Sequence, residues 1–590
     1  MDKTKVLEVE QIIDRDGFAE QLVNWYYTNQ QHRAKWLEEK RELRNYIFAT
    51  STKTTTNKSL PWKNSTTTPK LTQLRDNLHA NYMAALFPND NWFDWIGAEQ
   101  NAEKANKKAI IKQYMKVKTD NSDFKEVVSR LVYDYIDYGN AFATVEYVTD
   151  RKDVDGEKID LYVGPKLVRV SPLDIVFNPI ASSFDNTPKA IRSVATLGDL
   201  KKQIESNPTA GYKADILAKM RDTRLQSNSY SEADFAKDEA LQIDGFGSLK
   251  QYYGSGYVEI IDFFGDFYDV TTDTLYADHV ITVVDRSYII RMEPNKNWLG
   301  HKAIRHVGWR LRPDNLYAMG PLDNLVGMQY RIDHLENLKA DVFDLIAFPP
   351  LKVRGQVEDF EWGPMERIYI GDEGDVAMLV PDAQALAADM QINLLENKME
   401  ELAGAPKQAM GIRTPGEKTA YEVQQLENAA GRIFQNKVTY FESQFLEPLL
   451  NAMLAEARRV LDSKDVIRVV DNDLGAVKFL EITKEDITAK GMFRPQGARH
   501  FAAKATLIQN LTNFMASPLG QDPGVRVHFS GLKAAKIAEE AMNLEQYKLV
   551  SENIALIEQA KTQKFAESIQ EQVDIERQVP TTPTPEDFQE

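Results

Sequence analysis

Residues 411–419, Gly-Ile-Arg-Thr-Pro-Gly-Glu-Lys-Thr, come nearest in this chain to a chemical motif. They almost spell the cradle in which a glycine-rich turn is followed by a lysine and a hydroxyl residue to hold phosphate. Glu417, however, stands between the second glycine and Lys418, which moves the ammonium out of register and puts an anion where phosphate would lie. Pro415 removes a backbone N–H from the same cradle. A helical pattern rather than an apolar strand precedes it, so nucleotide binding is not expected here. His301 and His306 are five apart, a poor helical metal pair, and the chain has no cysteine to complete a zinc site. Asp266, Asp269, Asp273 and Asp278 crowd a strand-turn region without the glycine and terminal glutamate of a calcium loop, and read as solvated hairpin charges. Gly245-x-Gly247 and Gly254-x-Gly256 lack the strand–turn–helix frame of a dinucleotide site, and no Ser, His and Asp set carries a nucleophile elbow. The expectation is a protein that is not an enzyme, with no cofactor and no metal.

The cations worth naming are Lys407, Arg413 and Lys418, in the Gly/Pro-punctuated loop 404–418 between two helical patterns. On the residues alone they are surface cations near a helix end. The elements around that loop carry more information. After the Gly320-Pro321 break, Leu325, Met328, Ile332, Leu335, Val342 and Ile346 recur at spacings of three, four, three, seven and four. That is a narrow apolar seam of the kind that packs helix on helix, and it stops at Phe348-Pro349-Pro350. Residues 351–380 alternate in short strand patterns, with seven carboxylates between 358 and 375 set against Lys352, Arg354 and Arg367. A helix over about 382–402 follows, then the loop, then a helix predicted over 419–461 with a kink at Pro448.

Upstream, the period predicts one amphipathic helix over 15–48, with Phe18, Leu22, Trp25 or Tyr26, Trp36, Leu37, Leu43 and Ile47 on its apolar face. Its cations Arg33, Lys35, Lys40, Arg41 and Arg44 alternate with glutamates and read as a solvated face. The Ser/Thr-rich stretch 51–70 reads as a flexible loop. Helices are predicted near 71–87, 102–118 and 122–138, and alternating strands over 141–177 and 257–310. Beyond them come strands over 465–482 and helices near 497–515 and 531–572, then a Pro/Thr/acid-rich tail read as disordered. Helices gathered ahead of antiparallel strands make the fold class α+β.

The 590 residues suffice for several domains, and 43% hydrophobic content is that of a globular protein. No run of about 18 apolar residues is present, so no membrane span is expected, and the N-terminus lacks the apolar core of a secretory signal. The net charge of −17 argues against holding nucleic acid by phosphate neutralisation, but not against a wall past which DNA slides. It also keeps a large protein in solution, with no further meaning required.

The order of these pieces resembles the portal proteins of tailed bacteriophages, the head-to-tail connectors of the short-tailed type. Leu316-Tyr317-Ala318-Met319-Gly320-Pro321, followed by Gln329, Asp333, Leu335 and Asn337, resembles the pattern opening the first stem helix. Thr419-Ala420-Tyr421-Glu422-Val423 resembles the signature after the tunnel loop. Val170-Ser171-Pro172-Leu173-Asp174, Asn178-Pro179, Arg33-x-x-Trp36 and Tyr138-Gly139-Asn140-Ala141 fit the wing. The resemblance spans roughly 15–530. It implies a wing over 1–320 and 419–530, stem helices over 321–348 and 382–403, a clip over 349–381, a tunnel loop over 404–418, and a crown with tail over 531–590. It further implies a homo-oligomeric ring, of the dodecameric type, at one capsid vertex of the virion, assembled in the bacterial host cytoplasm. Double-stranded DNA would pass through it without sequence specificity, with Lys407, Arg413 and Lys418 facing the channel. The six seam residues would pack the stem, and Arg354 and Arg367 would lie at clip subunit contacts. Partners would be the terminase large subunit, then head-tail adaptor or tail proteins, with the major capsid protein and a scaffold around the ring. The alternatives are another virion structural protein, such as an adaptor or internal component, and a metal-dependent nucleic-acid-processing enzyme.

Overall fold

The structure is a computed structural model. It describes residues 16–50, 52, 64–88, 92–97, 102–154, 157–206, 212, 257–284, 288–295, 304–355, 375–378, 387–403, 432–461, 465–470, 477–488, 491–495, 511–518 and 530–541. The chain divides into two compact units, residues 1–467 with 481–497, and residues 468–480 with 498–590. The fold is mixed helix and strand, consistent with the α+β class.

The first unit opens with α1 (Asp16–His32) and α2 (Ala34–Ile47), followed by α3 (Lys70–Leu86), β1 (Phe93–Gly97), α4 (Ala102–Asn121) and α5 (Phe124–Asp137). The single helix predicted over 15–48 is thus two, divided at Arg33. Two sheets follow. In the first, β2 (Asn140–Val154) lies between β3 (Glu157–Val170) and β9 (Ile304–Gly308), with Phe142 opposite both Val170 and His306. In the second, β4 (Ile175–Phe177), β5 (Lys189–Thr196), β6 (Tyr257–Asp269), β7 (Thr274–Val284) and β8 (Tyr288–Pro294) pair antiparallel in sequence order. The helix α6 (Leu197–Ser206) branches from β5.

Each of these elements is held by the face its period dictates. Phe18, Leu22 and Tyr26 of α1 pack onto Phe263, Phe267, Tyr276 and Ile281 of the five-stranded sheet. Trp36 of α2 joins Tyr138, Phe142, Phe177 and Ile304 in a second cluster. Fully burying one such aromatic contributes about 2–3 kcal/mol, so these clusters fix α1 and α2 on the sheets.

A short hairpin, β10 (Arg310–Arg312) and β11 (Asn315–Met319), leads through a 3-10 turn at Asp323–Leu325 into α7 (Val326–Ala347). Beyond it, β12 (Leu351–Arg354) pairs with β13 (Asp375–Met378), and α8 (Asp389–Ala403) returns. The long helix after the loop is described from Arg432: α9 (Arg432–Phe441), a π-helical turn (Glu442–Leu446) and α10 (Glu447–Val460). That wide turn sits just ahead of Pro448, whose missing N–H and ring disturb the preceding helical ladder. A hairpin of β14 (Asp465–Val470) and β15 (Val477–Ile482), the short α11 (Lys484–Ile487), and β16 (Gly491–Pro495) paired with β1 follow. In the second unit the described helices are residues 511–516 and α12 (Gly531–Ala541). No described helix is long and apolar enough to cross a membrane.

Candidate functional site

α7 leaves the sheets through a junction that gathers several of the residues carrying the sequence resemblance, among them Arg33, Trp36, Asn140 and Tyr317. Arg33, only 2% exposed, donates from Nη1 to the carbonyls of Pro172 (3.1 Å) and Ile175 (2.6 Å), and from Nη2 to that of Leu173 (2.8 Å). One guanidinium fork therefore satisfies three carbonyls of the Ser171–Ile175 turn from two nitrogens in one plane, a geometry that lysine's single nitrogen does not reproduce. Trp36 lies 4.6 Å from Tyr317, which stacks on Phe177 at 4.5 Å. Asn140 binds β11 through both ends of its amide. Its Oδ1 accepts from the Ala318 N–H (2.9 Å), and its Nδ2 donates to the carbonyls of Ala318 (3.0 Å) and Tyr138 (2.9 Å). The Nε2 of His306 meets the same Oδ1 at 2.9 Å. Burial pushes the His306 pKa down to about 3, which keeps the ring neutral and leaves Nε2–H as the donor.

Gly139 and Gly320 touch back to back: a Cβ on Gly139, whose φ is +70°, would fall 2.4 Å from the Gly320 nitrogen. Only glycine accommodates that backbone and that approach.

Charged groups tie the start of α7 to this junction. Lys40, which the sequence reading placed on a solvated face, is buried, pairs with Asp323 and donates to the Asp137 carbonyl at 3.3 Å. Burial lowers its pKa, and the Asp323 carboxylate works against that shift. Asp323 also accepts from the Gly320 N–H at 2.7 Å. Arg75 forks onto Asp137 at 2.7 and 2.8 Å. Burial disfavours that cation, and the Asp137 hydrogen bonds outweigh it, leaving the Arg75 pKa raised. Nearby, Asp134 is buried against Arg169 at 2.5 and 2.7 Å, and desolvation pushes it up to about 6 although Arg169 pulls the other way. The solvated-face reading holds for Lys35 and Arg41, which are exposed, and fails for Arg33 and Lys40. Alternating charge along a helix does not reveal which cations meet carbonyls or carboxylates from distant segments.

α7 itself has two working sides. Lys339 reaches Asp389 at the start of α8 (2.6 Å), while Glu400 near the other end of α8 pairs with Lys70, whose neighbour Leu71 donates to Gln329 near the start of α7, so the two helices run antiparallel. At about 100° per residue the apolar seam falls on the same side as Lys339. Leu325, Ile332 and Leu335 are buried, Met328 and Val342 half-buried, and Ile346 exposed. The seam opens to water where α8 has not yet begun.

The other side of α7 is polar and equally buried: Gln329, Asp333 and Asn337 are each 0% exposed. Together with Asp341 they bind an extended segment, residues 64–69, lying along the helix. Asp341 Oδ1 accepts from Asn64 N–H (2.9 Å), Asn337 Oδ1 from Thr66 N–H (2.9 Å), and Asp333 Oδ1 from Thr68 N–H (3.0 Å). Asn337 Nδ2 donates to the Thr66 carbonyl (2.8 Å), and Gln329 Nε2 to that of Thr68 (2.6 Å). Lys70, buried at the end of the segment, pairs with Glu400 of α8 at 2.9 Å. The flexible loop expected over 51–70 is thus, from residue 64 on, a strap bound to both helices.

Past the strap the surface changes. Phe343, Ile346 and Phe348 (73% exposed) on the α7 side, Val353 and Met378 on β12 and β13, and Met390 (82%) and Leu394 on α8 all face water. Arg354 is exposed on β12, opposite Asp375.

Other expected sites fare differently. Asp266 accepts from the Asp278 N–H (2.8 Å), and Asp269 caps its own turn through Thr271 and Thr272, so these acids serve the hairpin. Among the described residues no group of three or more His, Cys, Asp or Glu could hold a metal ion. Ser129 meets His79 Nε2 at 2.8 Å, but Ser129 sits within α5, where backbone N–H groups are committed to the helix and none is left to receive an oxyanion. Lys407, Arg413, Lys418, Arg367, His301, both Gly-x-Gly turns, the phosphate-like loop 411–419 with the motif at 419–423, and the tail lie outside the described residues. Neither a family model nor a curated protein matches the chain.

Proposed function

We propose that this chain is the subunit of a ring-forming phage portal, the channel through which double-stranded DNA enters a capsid at one vertex and later leaves it. The observation that carries the reading is the uncovered apolar surface at the far end of a firmly socketed helix pair. Phe348, Met390 and Leu394 are each large, apolar and exposed, and lie on or next to the two paired helices, where a partner would cover them. A second copy is the natural occupant, because a head-to-tail contact repeated around an axis closes into a ring. The order of sequence features supports the same reading. In this account the module carried by α7 and α8 docks the packaging motor and then the tail adaptor, and the loop 404–418 lines the bore.

The test is assembly. Met390→Asp with Leu394→Asp places carboxylates on the exposed side of α8 and disturbs no buried group. The parent should sediment as a large closed oligomer, and the double variant as a folded monomer, since a charge buried unpaired at an interface costs several kcal/mol. A variant that assembles like the parent would overturn the reading.

A further inference from the structure

The strap and α7 match in pitch. From Asn64 to Thr68 an extended chain advances about 13 Å, and from Asp341 back to Asp333 a helix spans about 12 Å. Every second strap residue therefore meets every fourth helix residue, and three backbone N–H groups (64, 66, 68) face three side-chain oxygens (341, 337, 333). Residues 65 and 67 lie off this series. The repeating contacts go to strap backbone, and the side chains of Asn64 (to Asp341 at 2.8 Å and Asp344 at 3.0 Å) and Thr66 (to Asn337 at 3.0 Å) reinforce them, so together they specify the rotation of α7. Ile346, nine residues past Asn337, stands about 180° around the helix from the strap.

We propose that residues 64–69 are a positioning element for the assembly surface: the strap fixes the rotation of α7 and, through Lys70 and Glu400, its alignment with α8. The exposed apolar residues are thereby aimed at the neighbouring copy. The proposal rests on the ring reading. It gives Gln329, Asp333 and Asn337 a task distinct from subunit contact, since all three are buried within one chain.

Proline tests it by parity. Thr66→Pro deletes a rung N–H together with the hydroxyl that bonds the same Asn337 oxygen at 3.0 Å; Ser65→Pro introduces the same ring at a position off the series, and both suit an extended chain. Assembly is followed by sedimentation across a concentration series, alongside hydrogen exchange over α7. Thr66→Pro should raise the concentration for half-assembly about tenfold, with faster exchange over residues 329–341, and Ser65→Pro should leave both unchanged. Equal behaviour of the two variants, in either direction, would overturn the strap's role. If the parent remains monomeric, the ring reading fails by itself. The strap is then judged in the monomer by hydroxyl-radical oxidation of Met328 and Met390. A ratio altered in Thr66→Pro alone supports it, and an unaltered ratio rejects it.

Discussion

Replacing Gly139 with alanine puts one methyl group into the tightest point of the junction. Two costs add. A left-handed backbone at φ +70° costs an alanine about 1–2 kcal/mol. The new Cβ would also lie 2.4 Å from the Gly320 nitrogen, 2.5 Å from the Met319 carbonyl carbon and 2.9 Å from the Ala318 oxygen. All three are backbone atoms, so no side chain can swing away, and relieving the overlap costs about 1–3 kcal/mol more. The sum, about 2–5 kcal/mol, falls on the contact that sets where α7 leaves the sheets. Urea unfolding followed by tryptophan fluorescence reads this directly, because the Trp36 ring packs against Tyr317 and the Trp309 indole donates to Tyr82. The midpoint should fall by roughly 1 M. Gly327→Ala is the control: nothing lies within 4 Å of that Cβ, and in a helix the change should stabilise by up to about 1 kcal/mol. A Gly139→Ala midpoint within roughly 0.2 M of the parent would refute the back-to-back contact.

Acid should weaken the same junction through His306. Its folded pKa, about 3, lies below its ordinary 6.5, so stability is complete above 6.5 and is lost as pH falls from there toward 3. At pH 5.5 the loss attributable to His306 is about 1.4 kcal/mol. Asp134, raised to about 6, acts in the opposite sense between its ordinary 3.8 and 6, so the comparison must be parent against His306→Gln at each pH. The variant should lose less stability than the parent on acidification, and parallel pH profiles would contradict the assignment. If the chain is a portal subunit, neutralising Lys407, Arg413 and Lys418 together should leave ring size unchanged and reduce DNA packaging or retention in particles, because on that reading each would supply one weak, salt-screened phosphate contact per subunit. Unchanged packaging and retention would remove the loop's role.

How much of this was legible depended on the range of the interactions. The apolar seam from Leu325 to Ile346 and the strands over 141–177 and 257–310 announce themselves by period, which is a local signal. The strap did not, because its partners are some 260–280 residues away and Thr-rich chain reads as loop wherever nothing is known to bind it. A clue was present nevertheless: Gln329, Asp333, Asn337 and Asp341 form an i, i+4 row of short polar side chains. A solvated helix face more often carries lysine and glutamate. Arg33 and Lys40 were misplaced for a related reason, since charge alternation looks alike whether the cation meets water or a distant carbonyl. The glycines at 139 and 320 could be noticed in sequence, but their mutual contact could not.

The account stands most directly on an electron micrograph of the purified full chain. It predicts closed rings of about a dozen subunits around an open central channel, with the α7–α8 pairs packed side by side around it. Single-copy particles, or open filaments without a channel, at concentrations where the chain is folded would contradict it.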